Sequence, residues 1–293
     1  MNVITGEKLQ DLCQMHFSIP EFQPYELSDG RFINLKTFFP NEVQNGPLIY
    51  INLDIIRGPI EEKDLTEESR QTQIFKDQVD LHKLLSTFQN PFSLILHNND
   101  HWFGEEHLWM FDIPNLRNIY SQNTIISHER LIPLPIGIAN SMWEWGDLDV
   151  WKDIEPEKEK DHDIYFNFTI EGGCRDVKRP DCYNKLKRLG IPWIESKEYS
   201  TYLRDLNNYK FLVSPEGNGI DCHRTWEALY LKVIPIVDRN TVTEYYSKYF
   251  PMVLVDDWNK FSLKHLDRIY ETADWSNYEL LFFNNFTNTF IDG

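Results

Sequence analysis

The sequence predicts an α/β protein. Short apolar runs that read as buried strands alternate with helix-patterned stretches, and Gly and Pro punctuate the joints. After residue 162 the alternation tightens into a βαβαβ cadence with short turns, the form whose strand ends bind nucleotides. At 293 residues, with 41% hydrophobic and 14% aromatic content, the chain suits two domains of ordinary size with extensive cores.

The elements follow in order. Leu48 to Leu53 reads as a strand, and the polar stretch Asp64 to Thr87 carries helical periodicity in Ile74, Phe75, Val79, Leu81, Leu84 and Leu85. Phe92 to Leu96 is a second strand, ending abruptly in His97-Asn-Asn-Asp-His101. Leu116 to Tyr120 and Leu131 to Ile138 are further extended segments, the second limited by Pro133 and Pro135. The charged run from Trp151 to Asp161 reads as a solvated connection and sets the expected domain boundary. Beyond it come a strand at Asp163 to Thr169, a helix at Cys182 to Leu189, a short strand at Ile191 to Ile194 and a helix at Thr201 to Asn208. A strand at Phe211 to Ser214, a helix at Asp221 to Leu231 and a strand at Val233 to Val237 complete the cadence. The aromatic stretch Trp275 to Ile291 closes the chain as a terminal helix. The expected domains are therefore residues 1–155 and 156–274, with 275–293 as a helix returning to the first.

Composition narrows the function. A formal charge of −17 disfavours general nucleic-acid binding, which needs clustered Lys and Arg, and equally disfavours an anionic membrane surface. Met1 to Pro20 lacks a basic region followed by a long apolar run, and no stretch has the length of a membrane span. The expected compartment is the cytoplasm. Cys13, Cys174, Cys182 and Cys222 show no CxxC spacing and read as reduced thiols rather than a disulfide frame or zinc site.

The chemistry concentrates between Phe211 and Val237: strand, glycine-bearing loop, helix, strand. Gly217 and Gly219, flanked by Glu216 and Asn218, free the backbone for positive φ and close ligand approach. Asp221 is a good N-cap, and a helix N-terminus suits a diphosphate. Trp226, Leu229, Tyr230 and Val233 make one apolar face. Arg224 and Glu227 share another near the helix start, with His223 on the same side. An arginine there can fork onto phosphate oxygens, and a carboxylate one turn deeper can accept ribose hydroxyls. The competing reading is an ordinary surface ion pair. Upstream, the loop Phe168 to Arg179 offers Gly172, Gly173 and three cations, of which Arg175 is the candidate phosphate ligand.

The run Cys-His-Arg-Thr-Trp-Glu-Ala-Leu, ending in Val-Ile-Pro-Ile-Val, resembles the C-terminal half of exostosin-like glycosyltransferases, whose pattern is Ser-x-Arg-x-x-Glu-Ala followed by a Cys-Val-Pro-Val strand. Fucosyltransferases of the two-Rossmann type have a similar layout. The resemblance covers Asp163 to Val255. It implies a GT-B fold, two Rossmann-like domains facing each other across a cleft, and inverting, metal-independent transfer without a cofactor. The nucleotide sugar would bind the C-terminal domain and a glycan acceptor the N-terminal one. Arg224 would then contact the diphosphate and Glu227 the ribose. Two positions depart from the pattern: Cys222 replaces Ser, which removes a hydroxyl–phosphate bond, and Lys232 replaces a small residue, often Gly, which bears on helix packing. The family mostly uses UDP-sugars. The short chain without a membrane anchor looks like soluble virus-encoded or bacterial members, and UDP-xylose is the first donor by that analogy.

Inverting transfer needs a base for the acceptor hydroxyl, expected on a loop at the carboxyl end of an N-domain strand. Asp100 is the first choice, with His97 and His101 behind it, and Asp54 at the end of the Leu48 to Leu53 strand as the competing site. Two other readings stand beside this one. A metal-dependent GT-A transferase would use Asp-x-Asp, present as Asp147-Leu-Asp149 and Asp161-His-Asp163. A non-catalytic carbohydrate-binding protein would use the abundant aromatics.

Overall fold

The computed structural model describes residues 2–18, 32–34, 48–52, 82, 85–98, 100–156, 158–170 and 178–291. The fold is α/β with two parallel sheets, and the chain divides into two compact units, Glu7–Leu134 and Met1–Gly6 with Pro135–Gly293. This division differs from the boundary expected in the charged run. Residues 151–161 lie inside the second unit, where Trp151 is buried and Lys160 binds its interior.

The first unit carries a six-stranded sheet in the order β2-β1-β3-β4-β5-β6. Its strands are β1 (Met15–Ser18), β2 (Phe32–Asn34), β3 (Leu48–Asn52), β4 (Phe92–His97), β5 (Leu116–Ser121) and β6 (Leu131–Pro133). Every neighbouring pair is parallel. The order reverses between β1 and β3, which makes a topological switch point. Strand β4 is buried almost throughout, as a central parallel strand must be when both faces are covered. Strand β6 stops at Pro133, earlier than the sequence suggests, because a proline cannot extend a ladder. Strands β1 and β2, and helix α1 (Gly6–Leu12), were not evident in the sequence. The helix expected at Asp64 to Thr87 lies largely outside the described residues.

The second unit carries a four-stranded sheet in the order β10-β9-β8-β7. It comprises β7 (His162–Tyr165), β8 (Tyr209–Ser214), β9 (Ile234–Asp238) and β10 (Val253–Val255), all parallel. Between β7 and β8 run α2 (Lys178–Arg188) and α3 (Tyr199–Leu206). The strand expected at Ile191 to Ile194 does not form; Ile194 N–H donates to the Phe166 carbonyl, the Ile194 carbonyl accepts from Asn167 Nδ2, and Trp193 packs against Phe166 and Phe168. Helix α4 (His223–Tyr230) joins β8 to β9, and α5 (Thr241–Tyr246) joins β9 to β10. Then come α6 (Leu266–Glu271) and α7 (Phe283–Phe290).

The terminal helix is shorter than the sequence suggests, and it stays with the second unit. Phe286 and Phe290 pack on Tyr246 of α5, and Phe283 N–H donates to the Asn2 carbonyl. Val3 and Ile4 are buried in the same unit: Ile4 N–H donates to the Tyr230 hydroxyl, which donates onward to the Leu281 carbonyl. Gly137 follows from this joint. It has φ +67, and a Cβ there would stand 2.3 Å from the Ile4 carbonyl oxygen.

Helix α4 ends on Lys232 in the left-handed conformation, φ 53, with Val233 N–H reaching the Ala228 carbonyl at 2.8 Å. This is the glycine-type helix stop, so the expected departure at Lys232 concerns backbone strain more than helix packing. The Lys232 ammonium sits 4.6 Å from the Tyr278 ring centroid, which offsets part of that strain. Lys232→Gly is expected to stabilise the fold by roughly 0.5 kcal/mol, relief of the strain being set against removal of the ammonium–ring attraction. A denaturant midpoint below wild type would show that this attraction outweighs the strain.

Candidate functional site

The candidate site is the turn at the carboxyl end of β8 and the start of α4, the place where open parallel sheets bind ligands. Strand β8 ends at buried Ser214, whose hydroxyl lies 2.8 Å from that of Thr225 on α4. Strand and helix are thereby fixed to each other across the turn 215–222.

Gly217 and Gly219 both keep negative φ, contrary to the expectation of a left-handed backbone. At Gly217 a Cβ would instead crowd side chains on the turn, standing 2.6 Å from Arg179 Nη2 and 3.3 Å from Cys222 Sγ. Arg179 crosses the turn, its Nε donating to the Glu216 carbonyl and its Nη1 to the Thr169 carbonyl, both at 2.8 Å. Beside it, Lys178 Nζ lies 2.8 Å from Glu216 Oε2 and 3.8 Å from Asp238 Oδ1. Arg175 lies outside the described residues. The cations seen on the turn are Lys178 and Arg179, at the start of α2. The sequence held both within the same basic run, but nothing in a linear stretch tells which of three cations a helix will aim inward.

Glu216 and Asp238 are buried counter-charges. Asp238 accepts from Glu216 N–H and from the Trp258 indole, each at 2.8 Å, and burial pushes its carboxyl above the usual range. Glu216 Oε1 accepts from Asn240 Nδ2 at 3.0 Å. Asn240 also donates to the Ile220 carbonyl and caps α5 by accepting from Val242 and Thr243 N–H. Asn218 is exposed at the tip of the turn.

Asp221 is not the N-cap of α4. Cys222 occupies that position, and its side chain makes no capping bond to the helix. Asp221 is a buried anchor instead. It accepts from Ile136 N–H at 2.8 Å, from the Trp226 indole at 2.7 Å and from Cys222 N–H at 2.9 Å. Burial nonetheless pushes its carboxyl up to about 6 against those three donors. Burial also pushes the Cys222 thiol up to about 11, so it stands as a neutral thiol, 3.5 Å from the Pro215 carbonyl. Cys182 and Cys222 are free thiols.

His223 Nδ1 lies 2.8 Å from the Gly137 carbonyl, which makes Nδ1 the protonated nitrogen. Arg224 is half-buried and donates through Nη1 to the Asn167 carbonyl just beyond β7. Glu227 is 4% exposed, far from the surface ion pair of the competing reading, and accepts from the Tyr202 hydroxyl at 2.9 Å. Burial raises its pKa, opposed by the bond from Tyr202, by the nearby Arg224 charge and by Tyr199. Tyr202 and Tyr199, both on α3, are held far into the neutral form by burial and by the Glu227 carboxylate. Sequence reasoning missed this tyrosine pair, since helix α3 precedes strand β8 in the chain and meets α4 only in the fold.

The candidate bases fare differently. His97 is 1% exposed, its ring 3.3 Å from the Asn98 side-chain oxygen. Asp54 lies outside the described residues. Asp100 is exposed, just beyond a turn that Asn98 makes with φ 60. That turn is fixed by Asn98 Nδ2 donating to the Tyr50 hydroxyl and by Asn98 N–H donating to Gln122 Oε1. The Asp-x-Asp triplets sit on ordinary surface features. Asp147 accepts from Asp149 N–H in a 3-10 turn, Asp149 pairs with Lys152, and Asp163 pairs with Lys210.

No group of three metal-ligating side chains occurs among the described residues, and none of their helices is long and apolar enough to cross a membrane. No protein-family model matches the chain, and no curated protein matches it.

The buried Asp221 yields a pH prediction. Its folded pKa of about 6 exceeds the unfolded value of about 3.9, so the folded state binds the proton more tightly. That contribution is present below pH 4 and is lost as pH rises through 6. The unfolding free energy of wild type minus that of Asp221→Asn should therefore fall by about 2 kcal/mol between pH 4 and pH 7. A difference that stays flat across this window would show that the three donors outweigh burial.

Proposed function

We propose that the turn 215–222 and helix α4 bind the nucleoside diphosphate of a nucleotide sugar, and that the protein is an inverting glycosyltransferase acting on a glycan hydroxyl. One observation carries the reading: Lys178, Arg179 and Arg224 gather around a strand-end turn that leads into a helix whose N-cap side chain makes no capping bond. Helix-start N–H groups and cations at such a place suit a diphosphate. The exostosin-like pattern over Cys222 to Val237 supports the same assignment and suggests the GT-B arrangement and a UDP-sugar, with UDP-xylose first.

In this reading the resting cations exchange partners when the donor arrives. Lys178 has a side chain 46% exposed and can swing from Glu216 to a phosphate oxygen. Arg224 leaves the Asn167 carbonyl for the diphosphate, where its planar fork matches two oxygens. Glu227 accepts a ribose hydroxyl in place of the Tyr202 hydroxyl. The acceptor oxygen then attacks the anomeric carbon while the bond to the diphosphate oxygen breaks. Asp100 takes the acceptor proton, and the cations stabilise the electron pair left on the diphosphate. No resident metal or cofactor is invoked.

Titration calorimetry with UDP tests the donor site. Arg224→Ala should weaken UDP by about tenfold or more, the scale of a charge-assisted hydrogen bond. Glu227→Gln should weaken UDP while leaving inorganic pyrophosphate, which has no ribose, unaffected. Unchanged UDP affinity in folded Arg224→Ala would end the diphosphate assignment. With any donor that the chain turns over, Asp100→Asn should retain UDP affinity and lose about a hundredfold in rate. Normal turnover would pass the role to Asp54 or His97.

A further inference from the structure

The second unit carries an exposed aromatic feature that the donor reading does not use. Trp143 and Trp145 are 50% and 46% exposed, and Met142 beside them is 56% exposed. The two indole rings are nearly parallel, 7° apart in plane with centroids separated by 5.6 Å. Large apolar side chains normally leave water, so a pair held out in it calls for a reason.

The backbone beneath them is tightly built. Trp143 N–H donates to the Asn140 carbonyl at 3.0 Å, and Gly146 N–H donates to the Trp143 carbonyl at 2.8 Å. Gly146 is buried against the Asn140 carbonyl, where a Cβ would stand 2.0 Å from the oxygen. Only glycine closes this turn. The turn therefore fixes the chain on both sides of the pair, and the rings stack on each other, so little freedom remains to be surrendered on binding.

We propose that the Trp143–Trp145 pair is a stacking platform for β-linked pyranose rings of an oligosaccharide. A pyranose with equatorial hydroxyls presents a face of axial C–H bonds, which are positively polarised and match the negative face of an indole. Its rim of hydroxyls needs acceptors, and Glu144, between the two tryptophans in the chain, and Asp147, two residues beyond them, are exposed. Two other occupants fit less well. Recognition of a cationic side chain uses rings set at angles to form a cage, whereas these rings are parallel and offer flat faces. A stable protein partner needs about 800 Å² from each side, and three side chains do not supply it. The proposal stands apart from the donor site, because a glycan could bind here whether or not the chain transfers sugar.

Saturation-transfer NMR on the full chain with cellohexaose and with xylohexaose tests it. Transfer is expected to be strongest to ring C–H protons. The Trp143→Ala, Trp145→Ala double variant, altered only at exposed side chains, should weaken binding about tenfold or more, with Phe at both positions restoring part of it. The thermal shift given by UDP should be the same in wild type and double variant, which separates this site from the donor site. Absence of transfer to both sugars in wild type overturns the proposal, as does transfer undiminished in the double variant. Binding of a lysine-rich peptide without sugar binding, or loss of self-association as the effect of the double variant, also overturns it by assigning the pair to a protein partner.

Discussion

Helix α4 is buried along six of its eight residues, Thr225 to Tyr230, and most of the second unit is tied to one of its ends. At the start, Asp221 joins Ile136, Trp226 and Cys222 in one set of hydrogen bonds. At the finish, the Tyr230 hydroxyl bridges Ile4 and Leu281, and its carbonyl accepts from Tyr278. The carbonyl of the next residue, Leu231, accepts from the buried Lys160 ammonium, which also binds Asn207. A cation at the negative end of a helix complements its dipole, and here it also satisfies a carbonyl that the last turn leaves open. The helix cannot shift without breaking both sets of bonds, so the turn ahead of it is a fixed platform.

Fixing that platform required burying charge. Glu216, Asp221, Glu227 and Asp238 are each under a tenth exposed, and burial raises the pKa of Asp221, Glu227 and Asp238. Each is therefore surrounded by donors: the Trp226 and Trp258 indoles, the Tyr202 hydroxyl, backbone N–H groups and the cations of α2. The indoles serve twice, filling core volume with the ring and holding a carboxylate with the N–H. The acidic character of the chain thus reaches into the interior, and the basic residues near the turn are the ones left at its edge. An anion arriving there would meet cations whose resting partners are carbonyls and the carboxylates of Glu216 and Asp238.

The same economy shows in the glycines. Gly146 is required by the close approach of a carbonyl, not by an unusual φ, and a Cβ at Gly217 would displace the Arg179 guanidinium. Left-handed backbone falls on Asn98, Asn115 and Asn123 in the first unit, and on Lys232 and His265, besides Gly137 and Gly190, in the second. Asparagine accepts that conformation at low cost, whereas at Lys232 the ring of Tyr278 beside the ammonium offsets part of the strain.

The parallel strands β3, β4, β5, β8 and β9 and the helices α2, α3 and α4 were legible in the sequence, since apolar runs and helical periodicity are local properties. Strands β1 and β2 were not, because pieces of three or four residues gain their stability from neighbours distant in the chain. The turn 215–222 and its pair Arg224 and Glu227 were also marked by the sequence, as glycines and charges at fixed offsets. What each side chain does there was decided by the tertiary structure. Asp221 faces inward to Trp226 and Ile136, Glu227 meets a tyrosine of α3, and the cations on the turn are Lys178 and Arg179. The division into units likewise follows packing, with Val3 held by Phe282 and Ile4 by Tyr230. Spacing along a chain fixes which residues share a local face. Which partner that face meets depends on how distant segments pack, and packing is where the free energy of burial is settled.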